Sequence, residues 1–516
     1  MYARVLTASL YGLCGEKTWV EVNSENGIPA VSIVGLANQS VKESKERIRA
    51  AILNSGYEMH ANKITVNLTP AGRKKEGTHY DLPIALALVM SMDLAGTDDY
   101  DRSFFDGDIA CIGELTLEGK IRPVDGALSM IIGLKKEGIN RVIIPKENLK
   151  EAMLVKGMLL YPLETLSQVI DFATGYEYFL PVEAEGFVPS NADFEVPDFS
   201  DIKGQDSAKR AAQVAAAGLH GMLMIGSPGV GKSMIGKRIP GIMPPLTYDE
   251  QLDITQIYSV AGLLSRDVPM ITHRPFRSPH HSVSPTSLIG GGTYPRPGEI
   301  SLAHSGVLFL DELPEFATQT LDMLRQPMED GEISIVRLNG KIVFPANFML
   351  VAAMNPCRCG YYGDSVKQCT CSETERRRYI GKISGPLLDR IDIHVPMERL
   401  IYEDITSNSI SHTDTKTLRE GVIKAIEIQK ERYKNLSINY NSQLTPKLIK
   451  DFCLLKPSAE QLMEAAFAKW NMSARSYHRV LRVARTIADL RASLAIEEED
   501  VLEALSYRVP EKYFNK

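Results

Sequence analysis

No stretch of this 516-residue chain comes near 18 uninterrupted apolar residues, so nothing in it reads as a membrane-spanning helix. The opening Met1-Tyr2-Ala3-Arg4 starts a strand-like pattern instead of a secretion signal, and a cytoplasmic protein with no membrane contact is expected. Cysteine is scarce. The 7 residues at 14, 111, 357, 359, 369, 371 and 453 are an odd number in a chain without a signal, which argues against a disulfide scaffold. Aromatic residues reach only 7%, with 2 tryptophans, and no segment interleaves them with basic residues as a stacking platform for single strands does. An excess of positive charge is missing too: 58 Lys and Arg face 64 Asp and Glu, net −6. That excludes a general polycation but leaves room for a local basic stripe. Internal repeats and low-complexity tracts are absent, which sets solenoids aside.

What is present is enough for several cores. At ~150 residues per domain the length suggests roughly three domains, and 44% hydrophobic with 24% charged residues is an ordinary globular composition. Residues 1–180 alternate β-rich runs (Trp19-Val20-Glu21-Val22, Ile64-Thr65-Val66-Asn67-Leu68) with helical stretches such as Val41–Asn54 and Leu82–Met92, predicting an α/β or α+β domain. Acidic, proline-spaced text with Pro181, Pro189 and Pro197 reads as a linker over 181–200. Residues 201–405 alternate apolar strands with helices, as a mostly parallel α/β sheet requires. A polar stretch from Thr406 to Thr417 opens the last region, 406–516, where helices are expected at Leu418–Lys434, Pro446–Cys453, Ser458–Trp470, Ala474–Leu494 and Glu497–Ser506.

Within 201–405 the run Gly226-Ser227-Pro228-Gly229-Val230-Gly231-Lys232-Ser233 fits G-x-x-x-x-G-K-[ST] and follows the apolar Gly221-Met222-Leu223-Met224-Ile225. A buried strand therefore feeds straight into a glycine loop. Backbone N–H groups can turn inward around a polyphosphate, Lys232 can reach the β- and γ-phosphates, and the Ser233 hydroxyl can ligate Mg²⁺. ATP with Mg²⁺ is the expected ligand. About 80 residues on, the apolar Val307-Leu308-Phe309-Leu310 ends in Asp311-Glu312. At such a strand end the first carboxylate holds the Mg²⁺ shell and the second orients and deprotonates the attacking water. A third apolar run, Phe348 to Met354, ends at Asn355, a γ-phosphate contact or a turn residue before Pro356.

Four further patterns carry alternatives. Cys357-x-Cys359 and Cys369-x-Cys371, in a polar loop over 357–371, could close a structural tetrahedral Zn²⁺ site or be reduced thiols at a loop base. Arg475, Arg479, Arg482 and Arg485, spaced 4, 3 and 3, share one helix face, either solvated or turned toward ATP, a partner or DNA. The segment Glu332–Phe344 reads as a hairpin around Asn339-Gly340, flanked by Arg337 and Lys341, a second candidate for phosphate contact without base readout. The insert Arg274–Gly298, with His280, His281 and Arg296, is the third.

The motifs Arg274-Pro-Phe-Arg-Ser-Pro-His-His-Ser282, Gly290 to Glu312 (G-G-G-T-Y-P-R-P-G-E-I-S-L-A-H-S-G-V-L-F-L-D-E), Gly385-Pro-Leu-Leu-Asp-Arg-Ile-Asp392 and Ile202 to Ala211 resemble the magnesium-chelatase-like branch of AAA+ ATPases, and in particular the bacterial ComM/YifB family. The likeness runs over essentially the whole chain. It implies a P-loop AAA+ core with a parallel sheet, preceded by an α+β Lon-protease-like (ribosomal S5-like) domain and followed by an α-helical lid. By it, Glu312 and Asn355 take catalytic roles, Arg390 is similar to an arginine finger offered to a neighbouring subunit, and Arg475 to a second sensor of nucleotide. Arg376-Arg377-Arg378 lie close enough to serve as the finger instead. The expected form is a homo-oligomeric ring, by family likeness a hexamer. The expected function is an ATP-driven helicase or translocase promoting branch migration of single-stranded or branched DNA in homologous recombination during natural transformation, with recombination proteins as partners. A chelatase-type remodelling ATPase and an ATP-dependent protease are the alternatives. Ile112 to Leu128 and Gly138 to Asn148 carry the Lon likeness, but Lys75-Glu-Gly-Thr-His-Tyr-Asp-Leu-Pro-Ile-Ala85 holds no serine and Leu128 stands where the base lysine belongs, so peptidase activity is not expected.

Overall fold

The computed structural model describes residues 1–508 apart from 61, 73, 97–99, 102–103, 105, 187–196, 266, 293–294, 338–339 and 401–413. The chain begins with the hairpin Tyr2–Tyr11 and Cys14–Glu25, paired antiparallel from Tyr2 with Asn23 to Tyr11 with Cys14. It sits inside an eight-stranded mixed sheet ordered Val182–Glu183, Leu159–Leu163, Arg141–Pro145, Ile109–Cys111, Tyr2–Tyr11, Cys14–Glu25, Lys63–Thr69, Ala30–Val34. Alternation puts Val20 and Val22 inward, against the helices Gln39–Asn54 and Asp81–Met92. The second helix is apolar apart from Asp81, which pairs with Arg47, and Ser91, and every residue of it is buried.

The next module is a five-stranded parallel sheet in the order Phe276–Arg277, Val307–Leu310, Met349–Met354, Met222–Gly226, Ile393–Met397. Its three central strands are buried at every position, which explains their unbroken apolar text: helices cover both faces. Because the strands are parallel and in register, the residues after Gly226, Leu310 and Met354 emerge along one edge of the sheet, where ligands of such sheets bind. The expected hairpin forms from Glu332–Arg337 and Gly340–Pro345, with Arg337 facing Gly340. Its Ile333, Ile335, Ile342 and Phe344 pack under the sheet with Leu308 and Leu350.

The C-terminal region is helical as expected, with helices at Thr415–Tyr433, Pro446–Phe452, Pro457–Lys469, Ala474–Leu490 and Glu498–Ser506. Proline opens two of them, and Asp414, Thr445 and Ser473 cap three, supplying acceptors for otherwise unpaired N–H groups. Val422, Ala425 and Ile426 share one core with Ala211 and Ala215 of the helix Asp206–Gly218.

The linker is shorter than the sequence suggests. Val182–Glu183 pairs with Leu159–Leu163 as an edge strand, and Phe199 is buried in the core of the second module, its N–H bonded to Thr415 Oγ1. Most of the polar stretch Thr406–Thr417 lies outside the described residues. The first domain docks firmly on the second: Tyr248 donates to the Leu154 carbonyl, Ser259 Oγ donates to Glu151 (2.8 Å), and the Gly126 amide donates to the Ser259 carbonyl. At the hairpin turn, Gly12 lies so close to Ile342 that a Cβ would sit 2.7 Å from Ile342 Cγ2.

Candidate active site

The strand Met222–Gly226 delivers its loop at the ligand edge, and the helix Lys232–Ile242 begins immediately after it, its first N–H groups aimed at the loop. Gly229 and Gly231 take left-handed backbone (φ +84 and +95), which is why a residue without Cβ is needed there. Lys232 Nζ donates to the carbonyls of Gly226 (2.6 Å) and Ser227 (2.9 Å) and to Asn355 Oδ1 (3.0 Å). Ser233 Oγ donates to Asp311 Oδ2 at 2.7 Å. The loop, the carboxylate after Val307–Leu310 and the amide after Met349–Met354 are therefore one constellation, assembled from segments about 80 and 120 residues apart. Burial lowers the Lys232 pKa to about 8, against the opposing pull of Asp311 and Glu312. The ammonium is held by neutral carbonyls and an amide, the arrangement expected of a site whose counter-charge arrives with a ligand.

Glu312 stands in left-handed backbone at φ +52, half exposed, and its Oε2 is 3.3 Å from His281 Nδ1. Sequence reading grouped His281 with nucleic-acid candidates and missed this contact. The available signal was topological: Arg277 pairs with Leu308 in the neighbouring parallel strand, so residues shortly after Arg277 reach the same edge as Asp311 and Glu312. The Tyr379 hydroxyl hydrogen-bonds to the Asn355 backbone, fixing the amide from behind.

Arg390 and Arg475 do not join this constellation. Ile393 pairs with Met222 and Met397 with Gly226, so Arg390 lies at the opposite end of the sheet, beside Gly221. Four residues of strand separate the ends by roughly 13 Å. Arg390 donates to the Pro386 carbonyl (2.7 Å) and pairs with Glu329. Arg475 is exposed and 3.8 Å from Asp389. The two arginines are thus neighbours of one another and remote from Lys232 of the same chain. Of the other finger candidates, Arg376 stacks on Tyr362 and Arg377 pairs with Glu373.

The four arginines of Ala474–Leu490 do not present one shared face, whether to solvent or to DNA. Arg479 and Arg485 are buried, at 4% and 0% exposed. Arg485 meets Asp489, Arg432 meets the same carboxylate, and Arg482 reaches Asp392 at 3.3 Å. Asp392 also accepts from His220 Nδ1 (2.8 Å), whose other nitrogen meets Thr486 Oγ1 (2.8 Å). Although desolvation opposes ionisation of Asp392, Arg482 and His220 outweigh it and bring its pKa to about 2. With Arg479 and Arg485 buried, Arg482 ties the helical domain to the sheet, and of the four Arg475 is exposed. In the Arg274–Gly298 insert, Arg274 is buried on the Pro244 and Ser305 carbonyls and Arg277 grips Glu299 with two bonds of 2.7 Å, while Arg296 is largely exposed and faces Asp125 at 3.5 Å. On the hairpin Lys341 is exposed, while the tip residues Leu338 and Asn339 and the Arg337 side chain lie outside the described residues.

In the first domain, the Thr78 hydroxyl donates to Glu114, and His79 beside it is buried, its pKa lowered to about 4 by desolvation. Leu128 is buried in the helix Ala127–Lys136. The four cysteines of 357–371 come together, their sulfurs all within 4.8 Å of one another. Gly360, between the two cysteine pairs, packs on Pro228 of the phosphate loop.

Fold and constellation together define a P-loop nucleotide-binding module of AAA+ type with a helical lid. Family models agree along the chain: Subunit ChlI of Mg-chelatase matches residues 20–148, Magnesium chelatase, subunit ChlI matches 198–405, and its C-terminal model matches 412–508. The Competence protein ComM of Haemophilus influenzae is 40% identical over 519 residues, covering 100% of this chain and 99% of its own. The uncharacterized protein YifB of Escherichia coli is 40% identical over 507 residues, 98% of this chain and 96% of its own. Lon protease of Haemophilus influenzae is 27% identical over 192 residues, 34% of this chain and 23% of its own. The chain belongs to the ComM/YifB family of magnesium-chelatase-like AAA+ ATPases, with a Lon-protease-like domain at its N-terminus. Among the described residues no helix is long and apolar enough to cross a membrane.

Proposed function

We propose that this protein is an ATP-hydrolysing, ring-forming motor that acts on DNA. The observation that carries the reading is the separation of the catalytic set: Lys232, Ser233, Asp311, Glu312 and Asn355 at one end of the sheet, Arg390 and Arg475 at the other. Groups that cannot meet in one chain can meet across an interface. The loop amides of 226–233 and Lys232 bind the phosphates, Ser233 and Asp311 hold Mg²⁺, and Glu312 orients water and takes its proton, with His281 fixing the carboxylate. When bound, Mg²⁺ supplies charge neutralisation on the phosphates. Asn355 positions the terminal phosphate, and Arg390 and Arg475 of the neighbour stabilise its developing charge, so hydrolysis depends on assembly. A hexamer is the ring we favour.

The DNA substrate is supported by the relative named as a competence protein and by the exposed Lys341 on the hairpin. Branch migration of recombination intermediates in the cytoplasm during transformation is the specific role we infer. Zn²⁺ is the occupant we infer for Cys357, Cys359, Cys369 and Cys371. Chelatase-type protein remodelling is the second reading, favoured by the chelatase family models. ATPase rates with and without single-stranded or branched DNA, with Lys232→Ala as control, separate the two: stimulation supports the motor, and none at any ionic strength promotes remodelling.

A further inference from the structure

Three sulfur pairs in the cysteine cluster are 3.3 Å (Cys357 to Cys359), 3.6 Å (Cys357 to Cys369) and 3.6 Å (Cys359 to Cys369) apart. Sulfurs roughly 2.3 Å from one tetrahedral Zn²⁺ lie about 3.8 Å from each other. These spacings are far too long for a disulfide and close to what a shared ion imposes. Backbone amides of Tyr361 and Thr370 bond to Cys359, and those of Tyr362 and Gly360 to Cys357, the kind of support that thiolate ligands receive.

What the cluster touches is informative. Gly360, at φ +89, packs on the phosphate loop so tightly that a Cβ would lie 2.7 Å from Pro228 Cδ and 3.9 Å from Asn355 Cγ. From the far side of the same cysteine loop comes Asp364, whose side chain is 1% exposed. Its Oδ1 accepts the Val366 and Lys367 amides at 2.9 Å each. The Ser227 side chain, together with these two amides, holds its carboxyl down to about 2. Arg399 stands 3.9 Å from Oδ1. Immediately after Cys371, Ser372 caps the helix Glu373–Ile380, which carries Tyr379 to the Asn355 backbone. The cysteine loop thus presses on Ser227 and Pro228 and, through its helix, on Asn355.

We propose that the four-cysteine loop is a metal-dependent clamp: Zn²⁺ on Cys357, Cys359, Cys369 and Cys371 holds Gly360 against Pro228 and Asp364 against Ser227, keeping the phosphate loop in its nucleotide-binding shape. This rests on the zinc reading. A loop held in its bound form loses less conformational freedom on binding phosphate, so nucleotide affinity follows metal occupancy. Loss of the metal lowers affinity without altering any residue that touches nucleotide.

The test uses the full chain and two readouts: zinc per chain by elemental analysis, and binding of a fluorescent ATP analogue with Mg²⁺. Protein as purified should carry one zinc. Stripping the metal with a mercurial thiol reagent and chelator should weaken binding roughly tenfold, and restoring thiols and Zn²⁺ should reverse it. Asp364→Ala should keep its zinc yet bind several-fold more weakly, and Asp364→Asn, which retains the acceptor for the loop amides, should fall between it and the parent. Because Asp364 is not a ligand, this arm stands even where a cysteine variant fails to fold. Zinc-free protein as purified would overturn the zinc reading and the clamp with it. One zinc per chain, with affinity unchanged on stripping or in Asp364→Ala, would leave the zinc reading standing and overturn the clamp alone.

Discussion

Lys232 offers a prediction that depends on the geometry of its site. Its ammonium is buried on neutral acceptors, and burial brings its pKa to about 8 from an ordinary 10.5. A bound polyphosphate places negative charge beside it and drives the pKa back up, so nucleotide binding takes up a proton wherever the free protein has lost one. At pH 7 about nine-tenths of free molecules carry the charge; at pH 9 only about one-tenth do, and apparent affinity falls by that fraction, roughly tenfold. Below pH 8 the dependence flattens, because both free and bound forms are charged. Titration of a fluorescent ATP analogue with Mg²⁺ from pH 7 to 9.5 measures it, and calorimetry in buffers of different ionisation enthalpy counts the proton. Lys232→Arg, charged throughout the range, should show a nearly flat profile. An equally flat profile in the parent, or no proton uptake at pH 9, would refute the reasoning.

Asp392→Ala strands His220 and Arg482 in a buried site and should cost about 3 kcal/mol, read as a lower midpoint in urea unfolding. In the parent, the Asp392 pKa is depressed from 3.8 to about 2, so its contribution of about 2 kcal/mol is present above pH 4 and lost as pH falls toward 2, which acid-unfolding curves of parent and variant should show. His281→Ala should lower ATP turnover roughly tenfold with nucleotide affinity unchanged, since its ion-pair partner is Glu312; a matching loss of affinity would place it on the nucleotide instead. Purified protein with ATP should leave casein intact, and cleavage that Thr78→Ala abolishes would show that the first domain kept a nucleophile.

Sequence carried the phosphate loop, Asp311, Glu312 and Asn355 to one place because each sits at the end of an apolar run, and parallel strands deliver such ends to a common edge. The hairpin Glu332–Arg337 and Gly340–Pro345 was equally readable, from β-branched residues around an Asn-Gly pair. The arginine face of Ala474–Leu490 was not. Spacing of 4, 3 and 3 says which residues share a face, but not what covers it, and the carboxylate of Asp392 comes from some 90 residues away. The i,i+4 pair Arg485 and Asp489 was the one local hint. Contact of Gly360 with Pro228 was likewise invisible along the chain, although both loops leave neighbouring strands of the same sheet edge. Edges of the linker were misread because Val182 and Phe199 gain their burial from distant partners, not from any periodicity of their own.

The central claim, that one chain supplies the phosphate loop and its neighbour the arginine, is tested most directly by mixing two inactive variants. Lys232→Ala keeps the arginine edge and Arg390→Ala keeps the phosphate loop, so a random ring of equal parts contains about one interface in four with both intact. Each variant alone should hydrolyse ATP at a small fraction of the parent rate, and the equimolar mixture should recover about a quarter of it. No recovery at any ratio, or full turnover by Arg390→Ala alone, would contradict the account.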